Sequence, residues 1–285
     1  MTGAGNDFIV LDNRFFHFTP DELAAFARRF CRRRASVGAD GLLALASPRT
    51  EDFDFTMLYF NADGSRGTMC GNGARCLARY AVLAGIDGPD VRFEADAGSF
   101  RADVPEDENE PVKLYLPAHR AYRPGCRPSV FAEGAPESVD FIWTGTEHIV
   151  VFVPDASTAP VSDWGPLLRR DESISESGAN IDFVEIVERG DQDAAVLRVR
   201  TYERGVEAET DACGTGAVAS ALAAGLSGKT EASTTRVVMN GGELTVAWDG
   251  PAGAPSNLTL EGAADVVYRG TLDLWPVIVP ADRDA

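Results

Sequence analysis

Two cysteines in repeated surroundings carry the chemistry that this sequence suggests. Cys70 lies in Met-Cys-Gly-Asn-Gly-Ala-Arg and Cys213 in Ala-Cys-Gly-Thr-Gly-Ala-Val, and a largely apolar segment follows each, ending at Gly85 and near Gly225. The copies are 143 positions apart, half the 285-residue chain, and each follows a polar turn, residues 61–64 in the first and 203–206 in the second. Self-similarity at that distance is the mark of an internal duplication. If each apolar segment is a helix, each thiol sits at its first turn. There the backbone N–H groups lack intrahelical partners, the positive end of the macrodipole favours anions, and a thiol ionises more readily. Gly71, Gly73, Gly214 and Gly216 leave those N–H groups open to a bound carboxylate. A base on each side of one carbon can take a proton from one face and return one to the other, which inverts a stereocentre. The Cα–H of an amino acid is a very weak acid, so two helix starts aimed at its carboxylate would also have to stabilise the carbanion.

The rest of the sequence must supply elements that hold these turns. Residues 1–12 place a glycine-rich turn and Asn6 ahead of a strand, and Thr19-Pro20-Asp21-Glu22 is a capping box that starts a helix through about Phe30. Arg32, Arg33 and Arg34 then read as a solvated helix end. Strands are expected at 42–46, 53–60, 91–95, 99–104 and 112–116 in the first half. In the second half they are expected at 150–153, 182–187, 195–202, 236–239, 243–247, 257–260 and 266–268. Residues 117–139, rich in proline and polar side chains, read as the junction. Segments 74–84 and 217–226 are apolar or small on nearly every face, the pattern of helices enclosed by protein. The expectation is an α+β chain of two copies, each a mainly antiparallel sheet curled around a central helix, with the two cysteine-bearing helix starts facing across a cleft.

Composition narrows the function classes. A chain that is 45% apolar is long enough for two modest domains. No apolar run approaches the ~20 residues of a membrane span and no signal-peptide core opens the chain, so a cytoplasmic protein is expected. Cys31, Cys70, Cys76, Cys126 and Cys213 form no CxxC and no zinc-ligand spacing, which points to reduced thiols and to no metal site. A net charge of −18 argues against nucleic acid as a partner and suits a surface adapted to high ionic strength. Pyridoxal chemistry needs a Schiff-base lysine, and neither Lys113 nor Lys229 stands in a recognisable cofactor setting.

Several segments together resemble the diaminopimelate epimerase family. They are residues 3–8 (Gly-Ala-Gly-Asn-Asp-Phe), 38–41 (Gly-Ala-Asp-Gly), 60–65 (Phe-Asn-Ala-Asp-Gly-Ser), 69–73 (Met-Cys-Gly-Asn-Gly), 180–184 (Asn-Ile-Asp-Phe-Val), 202–206 (Tyr-Glu-Arg-Gly-Val) and 212–216 (Ala-Cys-Gly-Thr-Gly). They run in family order across almost the whole chain. The resemblance implies a cofactor-independent enzyme of lysine and peptidoglycan-precursor synthesis that interconverts LL- and meso-diaminopimelate. It implies Cys70 and Cys213 as the thiol/thiolate pair, and Gly71, Asn72, Gly214 and Thr215 as holders of the reacting carboxylate. It implies Asn6, Asn61, Asn180 and Arg204 as further substrate contacts, Glu203 both at the substrate and beside His148 in tuning the thiols, and a homodimer. The implied fold has an N-terminal half at 1–118, completed by final strands from about 262, and a second half at 119–261.

The chain departs from the family pattern in three places. Thr146-Glu147 stands before His148 where the family has Asn-Pro, so a hydroxyl replaces a paired amide and a carboxylate stands beside it. Asp211 adds an acid near Cys213 that is expected to raise the thiol's pKa. Met1 matches an internal methionine of the pattern, which implies a start further upstream. Two other functions stay open on the residues: a related racemase acting on another amino acid, and a non-catalytic redox-sensing or ligand-binding protein whose thiols pair.

Overall fold

In the computed structural model, which describes residues 1–129, 134, 136–190 and 194–273, the chain folds as two units. Met1–Leu114 with the segment from Ala263 onward forms the first, and Tyr115–Gly262 the second.

The first unit runs β1 (Thr2–Gly3), β2 (Asn6–Asp12), α1 (Asn13–Phe16), α2 (Pro20–Phe30), β3 (Gly41–Ala46), β4 (Phe55–Asn61), β5 (Arg66–Gly67), α3 (Gly71–Leu83), β6 (Asp90–Ala95) and β7 (Gly98–Asp103); β8 (Val112–Tyr115) carries the chain to the second. β2 pairs parallel with β3, β3 antiparallel with β4, and β4 antiparallel with β5. After α3 the chain returns with β6 parallel to β4, and β7 turns back antiparallel on β6. α3 packs on β1 to β4, and ten of its residues from Gly71 to Ala81 are buried. α2 begins with the expected capping box and turns Leu23, Phe26, Ala27 and Phe30, one helical stripe, onto Leu42, Ala44 and Phe60 of the sheet. Stacked rings of Phe55, Phe93 and Phe100, with centroids 4.9 and 5.6 Å apart, join β4, β6 and β7.

The second unit contains β9 (Arg120–Cys126), β10 (Val139–Trp143), β11 (Glu147–Phe152), α4 (Val161–Leu168), β12 (Asn180–Glu188), β13 (Ala195–Glu203), β14 (Ala208–Thr210), α5 (Gly214–Leu226), β15 (Thr234–Met239), β16 (Gly242–Asp249) and β17 (Ser256–Gly262). Its pairing repeats the first unit's: β11 parallel to β12, β12 antiparallel to β13, β13 antiparallel to β14, then α5, then β15 parallel to β13 and β16 antiparallel to β15. α3 and α5 each span 13 residues and keep the 143-residue offset at both ends. Each sheet is mainly antiparallel, with two parallel pairings where a strand re-enters beside an earlier one.

The structure corrects two expectations. Residues 117–139 are not simply a junction: β9 lies within them and pairs antiparallel with β10, despite Pro124 and Gly125. Register shifts in that ladder show how it accommodates them, as edge strands do. Residues 266–268 are not a strand; the returning segment makes a single bridge, Asp265 to Thr2. Of the expected closing strands, residues 274–285 lie outside the described residues. Arg32, Arg33 and Arg34 are exposed, as expected of a solvated helix end, and Arg33 also bridges Asp7 and Asp40 at 2.5 and 2.7 Å.

Candidate active site

In the first unit, β4 and a turn with Gly64 at φ +81° deliver the chain to Cys70, the N-cap of α3. Its sulfur accepts from the Gly73 N–H at 3.5 Å. Behind the helix start runs a polar chain. The Asn72 amide, 1% exposed, donates to Asn6 Oδ1 at 2.8 Å, and Asn6 Nδ2 donates to Asp40 Oδ2 at 3.0 Å. Arg75 donates to Asn72 Oδ1 at 2.9 Å. Asn6 and Asn72 are therefore brought together, and each spends its amide on the other's placement. Burial alone would raise the Asp7 carboxyl, but the Arg33 guanidinium and the hydrogen bonds with Asp40 together outweigh it and hold it below the usual range. Asn61 ends β4, accepting from the Tyr59 hydroxyl at 2.8 Å and donating to Ser65 Oγ at 2.9 Å. Chain order alone marks none of Arg33, Asp40 or Arg75, because charged residues are exposed by default.

In the second unit, β13 and a turn with Gly205 at φ +91° lead to Cys213, the N-cap of α5. The Cys213 sulfur lies 3.4 Å from Thr215 Oγ1, and Thr215 Oγ1 lies 2.9 Å from His148 Nε2. His148 Nδ1 is 2.7 Å from Asp182 Oδ2, and Thr201 donates to Asp182 Oδ1 at 2.7 Å. His148, Asp182 and Thr201 are fully buried. A carboxylate only accepts, so Nδ1 carries a proton toward Asp182. In the neutral imidazole Nε2 is then an acceptor facing the Thr215 hydroxyl, and across the 3.4 Å contact between Thr215 and Cys213 either group can donate. Gly216 is required here, since a Cβ would collide with Asp182 Oδ1.

Burial pushes the Cys213 thiol well above its ordinary value, and the carboxylates of Glu203 and Asp182 add to the shift. The Thr215 hydroxyl and the Gly216 N–H pull the other way without overcoming it. The carboxylates that matter are thus Glu203 and Asp182, where chain proximity had singled out Asp211. The expected easy ionisation at a helix start does not hold for Cys213, because desolvation outweighs the helix terminus.

Arg204 sits beside this network. Its backbone N–H donates to Asn180 Oδ1 at 2.8 Å, and its guanidinium meets Glu147 Oε2 at 2.9 Å, Thr146 Oγ1 at 2.8 Å and the Gly178 carbonyl at 3.0 Å. Burial pushes the Glu147 carboxyl up, but its own backbone N–H and the Arg204 guanidinium prevail and hold it below the usual range. Two of the residues that depart from the family pattern, Thr146 and Glu147, both land on Arg204. Thr144, which no sequence signal marked, donates to the Thr215 carbonyl at 3.0 Å and ties the loop before β11 to α5. Among the described residues no group of three or more His, Cys, Asp or Glu side chains could hold a metal ion, and no helix is long and apolar enough to cross a membrane.

Comparison with known proteins gives the chain's family and fold. The family model for diaminopimelate epimerase matches residues 1–118 and 141–266. A diaminopimelate epimerase from Chlorobaculum tepidum is 40% identical over 278 residues, covering 96% of this chain and 100% of that protein. One from Methanocella arvoryzae is 36% identical, covering 96% and 95%. Among solved structures, a phenazine biosynthesis protein of the PhzF family from Bacillus anthracis superposes with a TM-score of 0.64 at 17% identity, covering 93% of this chain and 91% of that one. A hydroxyproline epimerase from Agrobacterium vitis gives 0.62 at 16%, covering 92% and 87%. These distant structures share the fold. On the family match and the close relatives, the chain belongs to the diaminopimelate epimerase family.

Proposed function

We propose that this protein is an isomerase that interconverts LL- and meso-diaminopimelate through two thiols and no pyridoxal cofactor, in the supply of lysine and peptidoglycan precursors. The observation that carries the mechanism is the matched placement of Cys70 and Cys213 at the N-caps of equivalent helices. One sulfur, as thiolate, takes the Cα proton; the electron pair stays on the carbon and spreads into its carboxylate. The other sulfur gives its proton to the opposite face, so each turnover leaves thiol and thiolate exchanged. Backbone N–H groups at Gly71, Asn72, Gly214 and Thr215 hold the reacting carboxylate where negative charge grows. Arg204, Asn180, Asn61 and Asn6 form or brace the rest of the substrate site, and Glu203 and His148 act on the second thiol. The protein works as a cytoplasmic homodimer. Turnover of LL-diaminopimelate under reducing conditions, abolished in Cys70→Ala and Cys213→Ala, tests the assignment, and light scattering after size exclusion tests the dimer. Absence of turnover in the unaltered protein would defeat it.

A second reading rests on Arg204. Its guanidinium already meets Glu147 and Thr146, which suits a related epimerase of another amino acid with a different distal group. Thr146→Asn separates the two: a higher kcat/KM for diaminopimelate supports the first reading, and no gain alongside turnover of a different amino acid supports the second.

A further inference from the structure

Arg75 is a cation that the reaction just described does not use. It lies one turn into α3, behind Cys70, with no solvent exposure. One guanidinium nitrogen donates to Asn72 Oδ1 at 2.9 Å and another to the Gly71 carbonyl at 3.5 Å, while its Nε has no hydrogen-bond partner. Among the described residues no carboxylate lies within ion-pair distance of it. A charge buried without an opposite charge is costly, and such groups are ordinarily paired. Burial pulls Arg75 down to about 10, so it remains a cation at neutral pH.

Its bonds to Gly71 and Asn72 hold the guanidinium at the start of the helix that Cys70 caps, and Cys76 is the next residue along, so the sulfurs of Cys70 and Cys76 are the two groups that could balance it. Cys76 is fully buried, and burial pushes its thiol up to about 12 against the opposing pull of Arg75 and of the Met1 ammonium, with Cys70 and Asp265 adding to the rise. It stays protonated. Cys70 is partly exposed and receives the Gly73 N–H. The second unit provides the contrast: Cys213 is buried, and its charged neighbours are the carboxylates of Glu203 and Asp182.

We propose that Arg75 is a buried counter-cation that holds Cys70 as the thiolate in the substrate-free protein, making Cys70 the resting base and Cys213 the resting acid. Arg75 does not touch the reacting carbon; it is a positioning residue that biases where the proton rests. After a turnover that starts from Cys70, the proton is on Cys70 and the negative charge on Cys213. That exchanged form has lost the neighbour that stabilises its charge, and it returns by releasing the Cys70 proton to solvent and taking one up at Cys213. The catalytic meaning of this bias rests on the two-thiol reading above, but the ionisation itself does not.

The test is alkylation of the reduced, substrate-free protein by iodoacetamide across pH, with each cysteine followed by peptide mass spectrometry and the midpoint, not the rate, compared. In the unaltered protein Cys70 should reach its midpoint below the ordinary thiol value of about 8.5 and before Cys213. Arg75→Met should move the Cys70 midpoint up by about one pH unit or more, a tenfold loss of thiolate at neutral pH, and Arg75→Lys should keep it low. If Arg75→Met does not fold, the order of the two midpoints in the unaltered protein and the Arg75→Lys result still decide. Ionisation of Cys213 before Cys70, or a folded Arg75→Met protein with an unmoved Cys70 midpoint, overturns the proposal. A Cys70 midpoint that follows Arg75 in a protein that does not turn over diaminopimelate would instead overturn the proposed function and leave this inference standing.

Discussion

His148 is held at both ring nitrogens, and its partner Asp182 is what fixes the direction of that hold. With Asp182 accepting from Nδ1, Nε2 is free to accept from Thr215 and so to connect with Cys213. An asparagine at 182 can present its amide nitrogen to Nδ1, which favours the opposite tautomer and breaks that connection. Asp182→Asn is expected to lower kcat by roughly 10- to 100-fold with KM little changed, the scale seen when an outer partner of a functional histidine is removed. Steady-state kinetics on the purified variant checks this; an unchanged kcat would detach Asp182 from the reaction. The residue roles were unevenly legible in the sequence. Cys70 and Cys213 announce themselves because glycine-flanked cysteines recur with the same neighbours. Asp182 lies in the 180–184 segment that carries the resemblance, but nothing in a strand of alternating residues says that one carboxylate is buried against a histidine 34 positions away. The burial of Arg75 is equally hidden, since a lone charged residue gives no sign of burial in its own sequence.

At the level of elements, the helices were the most legible parts. Thr19 accepts from the Glu22 N–H while the Glu22 side chain takes the Thr19 N–H, the reciprocal capping that the sequence foretold for α2. Thr19→Ala should reduce stability by about 1 kcal/mol with activity retained, because α2 packs on the outer sheet positions Leu42, Ala44 and Phe60, away from the cysteine helix. Denaturant unfolding beside an activity assay checks it. α4 escaped notice because Gly165 and Pro166 sit inside it, residues that ordinarily break helices. Gly165 is there for packing: a side chain would strike the ring of Tyr202 on β13. β9 escaped for the same reason, with Pro124 and Gly125 in its course and Ala121 at φ +52°. Turn-forming residues inside an element hide it from pattern reading, and tertiary contacts then decide what forms.

Over the whole molecule, the duplication seen in spacing reappears as the same order of parallel and antiparallel pairings in both units, and this was legible because each copy kept its turn, cysteine and apolar helix in register. Charge and burial give two further expectations. A net charge of −18 repels itself, so the melting temperature should rise between dilute buffer and ~1 M salt, where the Debye length contracts to roughly 3 Å; full stability in dilute buffer would remove the case for adaptation to salt. Burial pushes the thiols of Cys31 and Cys76 up to about 12. An unfolded thiol ionises near ~8.5, so between that value and about 12 the folded chain binds more protons than the unfolded one, and stability falls as pH rises. Cys31→Ala should flatten the decline in melting temperature between pH 8 and 10. The central claim, that Cys70 and Cys213 exchange protons with one carbon, is tested most directly by incubating LL-diaminopimelate with the reduced protein in heavy water and following deuterium at Cα. The account predicts deuterium entering with inversion in the unaltered protein, and no inversion with either Cys70→Ala or Cys213→Ala. Inversion that persists without one of the two sulfurs, or inversion that leaves the original hydrogen in place, would contradict it.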